Sequence, residues 1–496
     1  MLQKARRLLA ALFLISITLL FLDFSGTISH WLGWMAKIQF LPALLALNIG
    51  VIAGLAILTL ICGRVYCSII CPLGIMQDGF AWLGKKRKKN RYSYSPPKKA
   101  LRYTMLAIMI VSIVAGIGSV VALLAPYSAY GRIAQSLLAP IWQSANNLLA
   151  SWAEARDSYA FYHVDLWLRG GITLAVAAVT LIVIGFLAWR NGRTYCNTVC
   201  PVGTILGFLS RFSILKPVID RSKCNSCGLC ARNCKAACID SKAHSIDYSR
   251  CVSCFDCIGR CHKGAIKYAR PTSSRQAGHT ASQKNDVDSS RRNFLAATAA
   301  IAASTAINAQ EKTVDGGLAV ITDKQIPPRK NKITPPGSLS IANLTSHCTA
   351  CQLCVSACPN DVLRPSTDIK SLMQPESSYE RGYCRPECTR CSDVCPTGAI
   401  RPITVADKSS IQIGHAVWIK ANCIPLTDGV ECGNCARHCP AGAIAMISSD
   451  INNDAAPKIP AVNTERCIGC GACENLCPAR PFSAIYVEGH ENHRII

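Results

Sequence analysis

The amino-acid sequence predicts a membrane α-helical bundle of four transmembrane helices, arranged as a parallel two-fold repeat, joined to small α+β domains folded around cysteine ligands. Three observations carry this. Half of the 496 residues are hydrophobic and only 17% are charged, a balance foreign to a soluble chain of this length. The 30 cysteines fall into repeated short-interval quartets, the pattern of metal-cluster ligation rather than of a disulfide scaffold, whose chains are short and secreted. A twelve-residue string occurs twice, each time behind an apolar stretch. The formal net charge of +24 does not make nucleic acid a partner. Lys85 to Lys89, Arg91, Lys98, Lys99 and Arg102 form one run between apolar stretches, where the positive-inside rule places a cytoplasmic loop. Membrane lipid is the expected neighbour.

Four stretches reach about the 20 apolar residues that a helix needs to cross a bilayer: Leu8–Phe24, Leu41–Cys62, Tyr103–Pro126 and Gly171–Trp189. Their basic flanks agree on direction. Lys4, Arg6 and Arg7 precede the first, the Lys85–Arg102 run separates the second from the third, and Arg190 and Arg193 follow the fourth. The N-terminus, the middle loop and the segment after Trp189 are therefore expected in the cytoplasm, and Tyr127–Arg169 outside, with Leu137–Trp142 along the interface.

The repeated string reads Gly-Arg-x-Tyr-Cys-x-x-x-Cys-Pro-x-Gly, at Gly63–Gly74 and again at Gly192–Gly203. Each copy ends a helix pair, and two pairs running the same way make a parallel repeat about an axis normal to the bilayer. That symmetry would bring Cys67, Cys71, Cys196 and Cys200 together, since cysteines at i and i+4 share a helix face. Four soft thiolates suit an iron–sulfur cluster, zinc or copper(I); a redox disulfide or four inert buried cysteines are the alternatives. Cys62 has no counterpart in the second copy and reads as a core residue. Residues 1–215 make up this membrane domain.

Residues 216–270 hold two quartets, Cys224, Cys227, Cys230, Cys234 and Cys251, Cys254, Cys257, Cys261. The spacing is that of bacterial two-cluster ferredoxins, in which each fourth cysteine ligates the other 4Fe–4S cluster. Lys235 and His262 stand where the pattern carries proline. Cys238 is spare and reads as structural. Residues 271–345 then read as a linker, polar from Pro271 to Ser290, with a twin-arginine export signal at 289–309. There Ser290-Arg291-Arg292-Asn293-Phe294-Leu295 leads into Ala297–Ala309. Such a signal suits clusters that are inserted before export, and a cut after Ala306 or Ala309 would divide the chain.

Residues 346–496 hold four more quartets: Cys348, Cys351, Cys354, Cys358; Cys384, Cys388, Cys391, Cys395; Cys423, Cys432, Cys435, Cys439; and Cys467, Cys470, Cys473, Cys477. Proline follows each fourth cysteine, and Gly-Ala-Ile recurs at Gly264–Ile266, Gly398–Ile400 and Gly442–Ile444 as the turn into a closing strand. Six quartets imply six 4Fe–4S clusters in α+β ferredoxin-like domains. Tight outer and stretched inner quartets resemble four-cluster subunits in which the first pairs with the fourth and the second with the third.

On these residues, 1 to about 270 resemble the NapH family, the membrane quinol-dehydrogenase component of periplasmic nitrate reductase systems. Residues from about 285 to 496 resemble the NapG family, its exported four-cluster partner, so the chain looks like a fusion of the two. The resemblance implies menaquinol as electron donor, the quinone pool as partner, and a periplasmic reductase or small periplasmic electron carrier as acceptor. It also implies a bacterial inner-membrane location, with the first ferredoxin domain cytoplasmic and the second periplasmic. Two other readings share the Cys-x3-Cys-Pro motifs. A membrane copper reductase of oxidase assembly would not need the last four quartets. A nitrous-oxide-reductase maturation donor would carry a large outer flavin domain, for which Tyr127–Arg169 leaves no room. His30 and His163 are the histidines near the outer helix ends.

Overall fold

The computed structural model describes residues 2–23, 26–87, 92–166, 169–270, 323–450, 453 and 456–496. The expected export signal, with Arg291 and Arg292, lies outside the described residues.

Two helices among the described residues are long and apolar enough to cross a membrane, Leu2–Leu22 and Gly171–Asn191, each of 21 residues. They cover the first and fourth expected spans. The second and third are interrupted, which corrects the expectation of four continuous helices. Leu41–Cys62 divides into Phe40–Leu45 and Ile49–Cys62. Leu47 turns left-handed at φ 52°, and the Asn48 N–H bonds back to the Ala43 carbonyl at 3.0 Å. Asn48 then caps the next helix by accepting from the Val51 N–H at 3.2 Å. Tyr103–Pro126 divides in the same way into Lys99–Val114 and Gly118–Leu124. The hinge is Gly116 at φ 69°, with the Ile117 N–H on the Ser112 carbonyl at 2.8 Å. Both breaks are Schellman-type ends, and hydropathy runs through them because Asn48 is the one polar residue in either break. The 14 residues of Ile49–Cys62 span about 21 Å, short of a hydrocarbon core of about 30 Å.

The segment expected outside begins with a buried helix. All eight residues of Pro126–Ile133 are buried, packed against Gly171–Asn191 and Pro72–Arg87. This helix runs through a π-helical turn, Ala134–Leu138, into Ala139–Glu154. There Ile141, Trp142, Leu148, Leu149 and Trp152 are exposed, an apolar face on the outside of the helix.

The cysteine-rich domains share one plan. β1 (Lys216–Ile219) pairs antiparallel with β4 (Ile266–Ala269), and the short hairpin of β2 (Ile239–Asp240) and β3 (Ser245–Ile246) lies between them in sequence. In the C-terminal domain the first two quartets enclose only the hairpin of β5 (Leu363–Pro365) and β6 (Pro375–Ser377). The last two restore the plan at greater length: β7 (Ile411–Trp418) pairs with β10 (Ile485–Ile495), and β8 (Ile444–Ser448) pairs with β9 (Lys458–Val462) between them in sequence.

Residues 323–345, expected in the linker, pack on the C-terminal domain instead. Lys324 Nζ donates to the carbonyls of Glu474, Asn475 and Cys477 at 2.6, 2.7 and 3.0 Å. Arg329 pairs with Glu474, and Ile333 enters the core.

Candidate metal centres

The two copies of the repeat meet, as their symmetry requires. Arg64 of the first copy reaches the second, donating to the Cys196 carbonyl at 3.3 Å and to Asn197 Oδ1 at 3.0 Å. Arg193 of the second copy returns the contact, donating to the Cys67 carbonyl at 2.5 Å. The glycines that close each string make room for this crossing. A Cβ at Gly74 would strike the Cys67 carbonyl, and one at Gly203 the Cys196 carbonyl. Both arginines are fully buried.

Cys67, Cys71, Cys196 and Cys200 lie buried in one core. The expected shared face of one helix is not how they meet. Cys67 lies in the short helix Tyr66–Ile69, whereas Cys71 precedes Pro72, the first residue of the next helix. Cys200 stands in the same place before Pro201 and accepts from the Gly203 N–H at 3.4 Å. Proline at the first helical turn sets this break. Gln77 Nε2 lies 3.3 Å from the Cys196 sulfur, and Arg64 Nη2 lies 3.7 Å from that of Cys67. Burial pushes the Cys196 thiol up, and Arg193 and Arg64 pull it back. Two guanidinium groups around four thiols suit an anionic tetrathiolate centre.

The first ferredoxin domain docks beside this tetrad through a residue that breaks the motif. Lys235, standing where proline was expected, is buried and pairs with Asp78 at 2.8 Å and Asp256 at 3.2 Å. Asp78 also takes Arg6 and Arg193, each at 2.7 Å. Burial works to raise the Asp78 carboxyl, but Arg193, Lys235 and Arg6 outweigh it and hold it below the usual carboxylate range. Cys62, expected in the core, is half-buried; its carbonyl accepts from Ser253 Oγ at 3.2 Å and Tyr268 Oη at 2.8 Å. Inside the domain, Cys234 lies among Cys251, Cys254 and Cys257 and raises the Cys254 and Cys257 thiols after burial itself. That is the neighbourhood that crossed ligation would need. Cys224 and Cys227 neighbour Cys230, and Cys227 is exposed. Spare Cys238 is buried with its sulfur 3.6 Å from that of Cys234.

The C-terminal domain corrects the nested pairing. Cys395 of the second quartet stands against Cys348, Cys351 and Cys354, whose thiols are raised first by burial and then by their sulfur neighbours, Cys351 to about 12. Cys358 of the first quartet stands against Cys384 and Cys391. In the same way Cys477 joins Cys423, Cys432 and Cys435, and Cys439 joins Cys467, Cys470 and Cys473. First therefore crosses with second, and third with fourth.

These sets fit 4Fe–4S clusters by their donor chemistry and by the amides aimed at them. Backbone N–H groups of Ala265, Ile400, Ala443 and Ala484 donate to the sulfurs of Cys261, Cys395, Cys439 and Cys477 at 3.2 to 3.4 Å. The first three belong to the Gly-Ala-Ile tails, whose glycines Gly264, Gly398 and Gly442 take φ of 61°, 70° and 58°. Ile266 and Ile444 open strands as expected; Ile400 does not. Among the described residues no three Cys, His, Asp or Glu side chains close to the spacing of a single ion. A cubane holds its thiolates farther apart than zinc, with its bonds of about 2.3 Å, would.

Residues 43–91 and again 171–219 match the 4Fe-4S binding domain family, so each match takes in one copy of the repeat. Residues 430–480 match a 4Fe-4S dicluster domain and residues 344–364 a second 4Fe-4S binding domain. The chain carries 4Fe–4S ferredoxin-type domains. Part of it is 32% identical, over 154 residues, to the methylamine utilization ferredoxin-type protein MauM of Methylobacillus flagellatus, covering 30% of this chain and 65% of that protein. Escherichia coli K12 NapG is 32% identical over 157 residues, 29% of this chain and 66% of its own length. NapF of the same strain is 29% identical over 161 residues, 32% of this chain and 88% of its own. The chain thus spans about two thirds of the length of the MauM and NapG relatives. No solved structure matches it.

The sequence pattern pointed to the cysteines that gather in these domains and not to the residues that hold the domains to the bundle. Lys235 carried a signal, its departure from proline. Arg64 and Arg193 carried another, their identical place in the repeat. Asp78 carried none.

Proposed function

We propose that this chain is a membrane-bound electron carrier that oxidises a menaquinol-type donor and passes the electrons through 4Fe–4S clusters to a periplasmic reductase. In this reading it joins a NapH-like membrane part to a NapG-like exported part. The observation that carries it is a single continuous core. That core contains Cys254 of the first ferredoxin domain, the tetrad, Tyr127 and Tyr130 of the buried helix, and Cys351 and Cys354 of the C-terminal domain. Buried Arg132 lies between them, with Tyr195 and Cys351 among its neighbours; it donates to the Ala122 carbonyl at 2.7 Å, and Tyr195 donates to the Leu124 carbonyl at 3.4 Å. Clusters accept and give single electrons when bound; what this chain supplies is their order and a dry path between them. A copper reductase would gain nothing from the four quartets of residues 346–496. Six clusters come from the quartets, and the tetrad supplies the ligands for a further centre.

The test is anaerobic. Purified protein in detergent is mixed with a short-chain naphthoquinol, and the iron–sulfur absorption is followed. The wild type should bleach. A variant with Cys67→Ser and Cys71→Ser should keep the iron of its six quartets and transfer electrons between its two ferredoxin parts slowly or not at all. No bleaching by naphthoquinol, with dithionite still effective, would remove the quinol reading.

A further inference from the structure

Of the 24 cysteines in the six quartets, Cys227 alone is exposed. The continuous core takes in Cys254 of its domain but none of Cys224, Cys227 and Cys230. The set to which these three belong therefore lies off the path proposed above, with one ligand open to solvent.

The surface around that ligand carries one sign of charge. Within residues 216–270 eight lysines and arginines are exposed, whereas all four aspartates are half-buried. Each aspartate is held by the chain itself. Asp220 accepts from the Ser222 N–H at 3.0 Å and Asp240 from the Lys242 N–H at 2.9 Å, while Asp247 pairs with Arg250 at 2.7 Å and Asp256 with Lys235 at 3.2 Å. Three of the exposed cations gather at Cys227. Arg232 Nη2 donates to the Cys227 carbonyl at 2.9 Å. Lys223 is next to Cys224 on the same loop. Lys242 follows Ser241, whose Oγ would stand 3.6 Å from a Cβ at Gly228. The same turn meets the loop again where Ser226 Oγ lies 2.9 Å from His244 Nε2.

We propose that this face docks a small acidic protein that carries one electron at a time. A field of one sign steers an oppositely charged protein and orients it before contact. The carrier's carboxylates meet Lys223, Arg232 and Lys242, which brings its redox group over Cys227. One electron then passes from the reduced carrier to an oxidised 4Fe–4S cluster. The carrier is oxidised by one electron, the cluster is reduced by one, and no bond breaks and no proton moves. An anionic lipid surface would also meet a basic face, but it has no use for an open cluster ligand. This second port goes beyond the quinol reading, and its test uses no quinol, so either can fail without the other.

The probe is a flavodoxin, an acidic flavoprotein, under anaerobic conditions. A carbodiimide, which joins carboxylates to lysines in contact, should link it to wild-type Lys223 and Lys242. Links confined to other lysines would overturn the proposal. Flavodoxin reduced to its hydroquinone should turn to the blue semiquinone on mixing, at a rate that falls steeply as salt shortens the reach of the charges. Lys223→Glu with Lys242→Glu should slow this about tenfold at low salt, with dithionite bleaching at full amplitude. Lys370→Glu on the C-terminal domain should leave the rate at the wild-type value. A rate indifferent to salt and to the double variant, or links without semiquinone, would rule the port out. In nanodiscs, Lys223 and Lys242 should be acylated as fast beside phosphatidylglycerol as beside phosphatidylcholine. Protection by the anionic lipid would give this face to the membrane instead.

Discussion

At the scale of single residues, the chain is held by buried arginines that the sequence presents as something else. Arg6, Arg102 and Arg193 flank apolar stretches, and there a basic residue reads as a topology marker. The structure buries all three. Arg102 donates to Ser249 Oγ at 3.1 Å, and Arg193 donates to Asp78 Oδ1 at 2.7 Å. A guanidinium has the fixed fork that such a site needs, and an ammonium does not. Arg193→Met should therefore lower stability by about 3 kcal/mol, the lower end for breaking a buried pair, since Lys235 and Arg6 still face Asp78. Arg193→Lys should recover part of this, because one ammonium cannot serve both Asp78 and the Cys67 carbonyl. Thermal unfolding in detergent measures the order wild type, Lys, Met. A Met variant that melts with the wild type would mean that the crossing of the two repeats adds nothing to stability.

At the scale of elements, the cysteine quartets were legible because a cluster loop is a local structure: in four of the six, three cysteines fall within seven residues and fix its turn. Their pairing was not legible, because it is decided by strands far apart in sequence. β7 and β10 pair across the third and fourth quartets and bind them into one unit. The wide gap between Cys423 and Cys432 then has a local cause. It accommodates a short helix, Ile424–Thr427, and an exposed turn with Val430 at its surface, so it marks an insertion and not a nesting. The interrupted helices failed for a related reason, since Leu47 and Gly116 turn the chain without any polar signal. The crossed pairing has a direct test in Cys358→Ser. Alkylation and mass spectrometry of the folded variant should find Cys384, Cys388 and Cys391 newly reactive. Reactivity at Cys467, Cys470 and Cys473 instead would restore the nested order.

At the scale of the whole molecule, the contacts set the centres in a line. Exposed Cys227 marks one end. Next come the set of Cys251, Cys254, Cys257 and Cys234, docked by Lys235, and then the tetrad. Beyond it Gly131 of the buried helix abuts the Cys351 carbonyl, which places the Cys348, Cys351, Cys354 and Cys395 set at the bundle. The Cys384 N–H meets the Cys470 carbonyl at 2.9 Å, so the two halves of the C-terminal domain join through the Cys384 and Cys467 sets. The Cys423, Cys432, Cys435 and Cys477 set is left farthest along, beneath exposed Leu426 and Val430. An electron entering at the bundle should leave this domain there, because a large protein oxidant cannot approach centres enclosed by chain. Cys432→Ser removes a ligand at that end and touches none of the others. With naphthoquinol as donor, the remaining clusters of this variant should bleach as in the wild type, while reduction of added cytochrome c, a protein too large to enter the structure, should fall to background. Cytochrome c reduced at the wild-type rate would mean that electrons leave from an earlier set, and the Cys384 group, whose thiols are half-buried, would be the next end to examine by the same substitution.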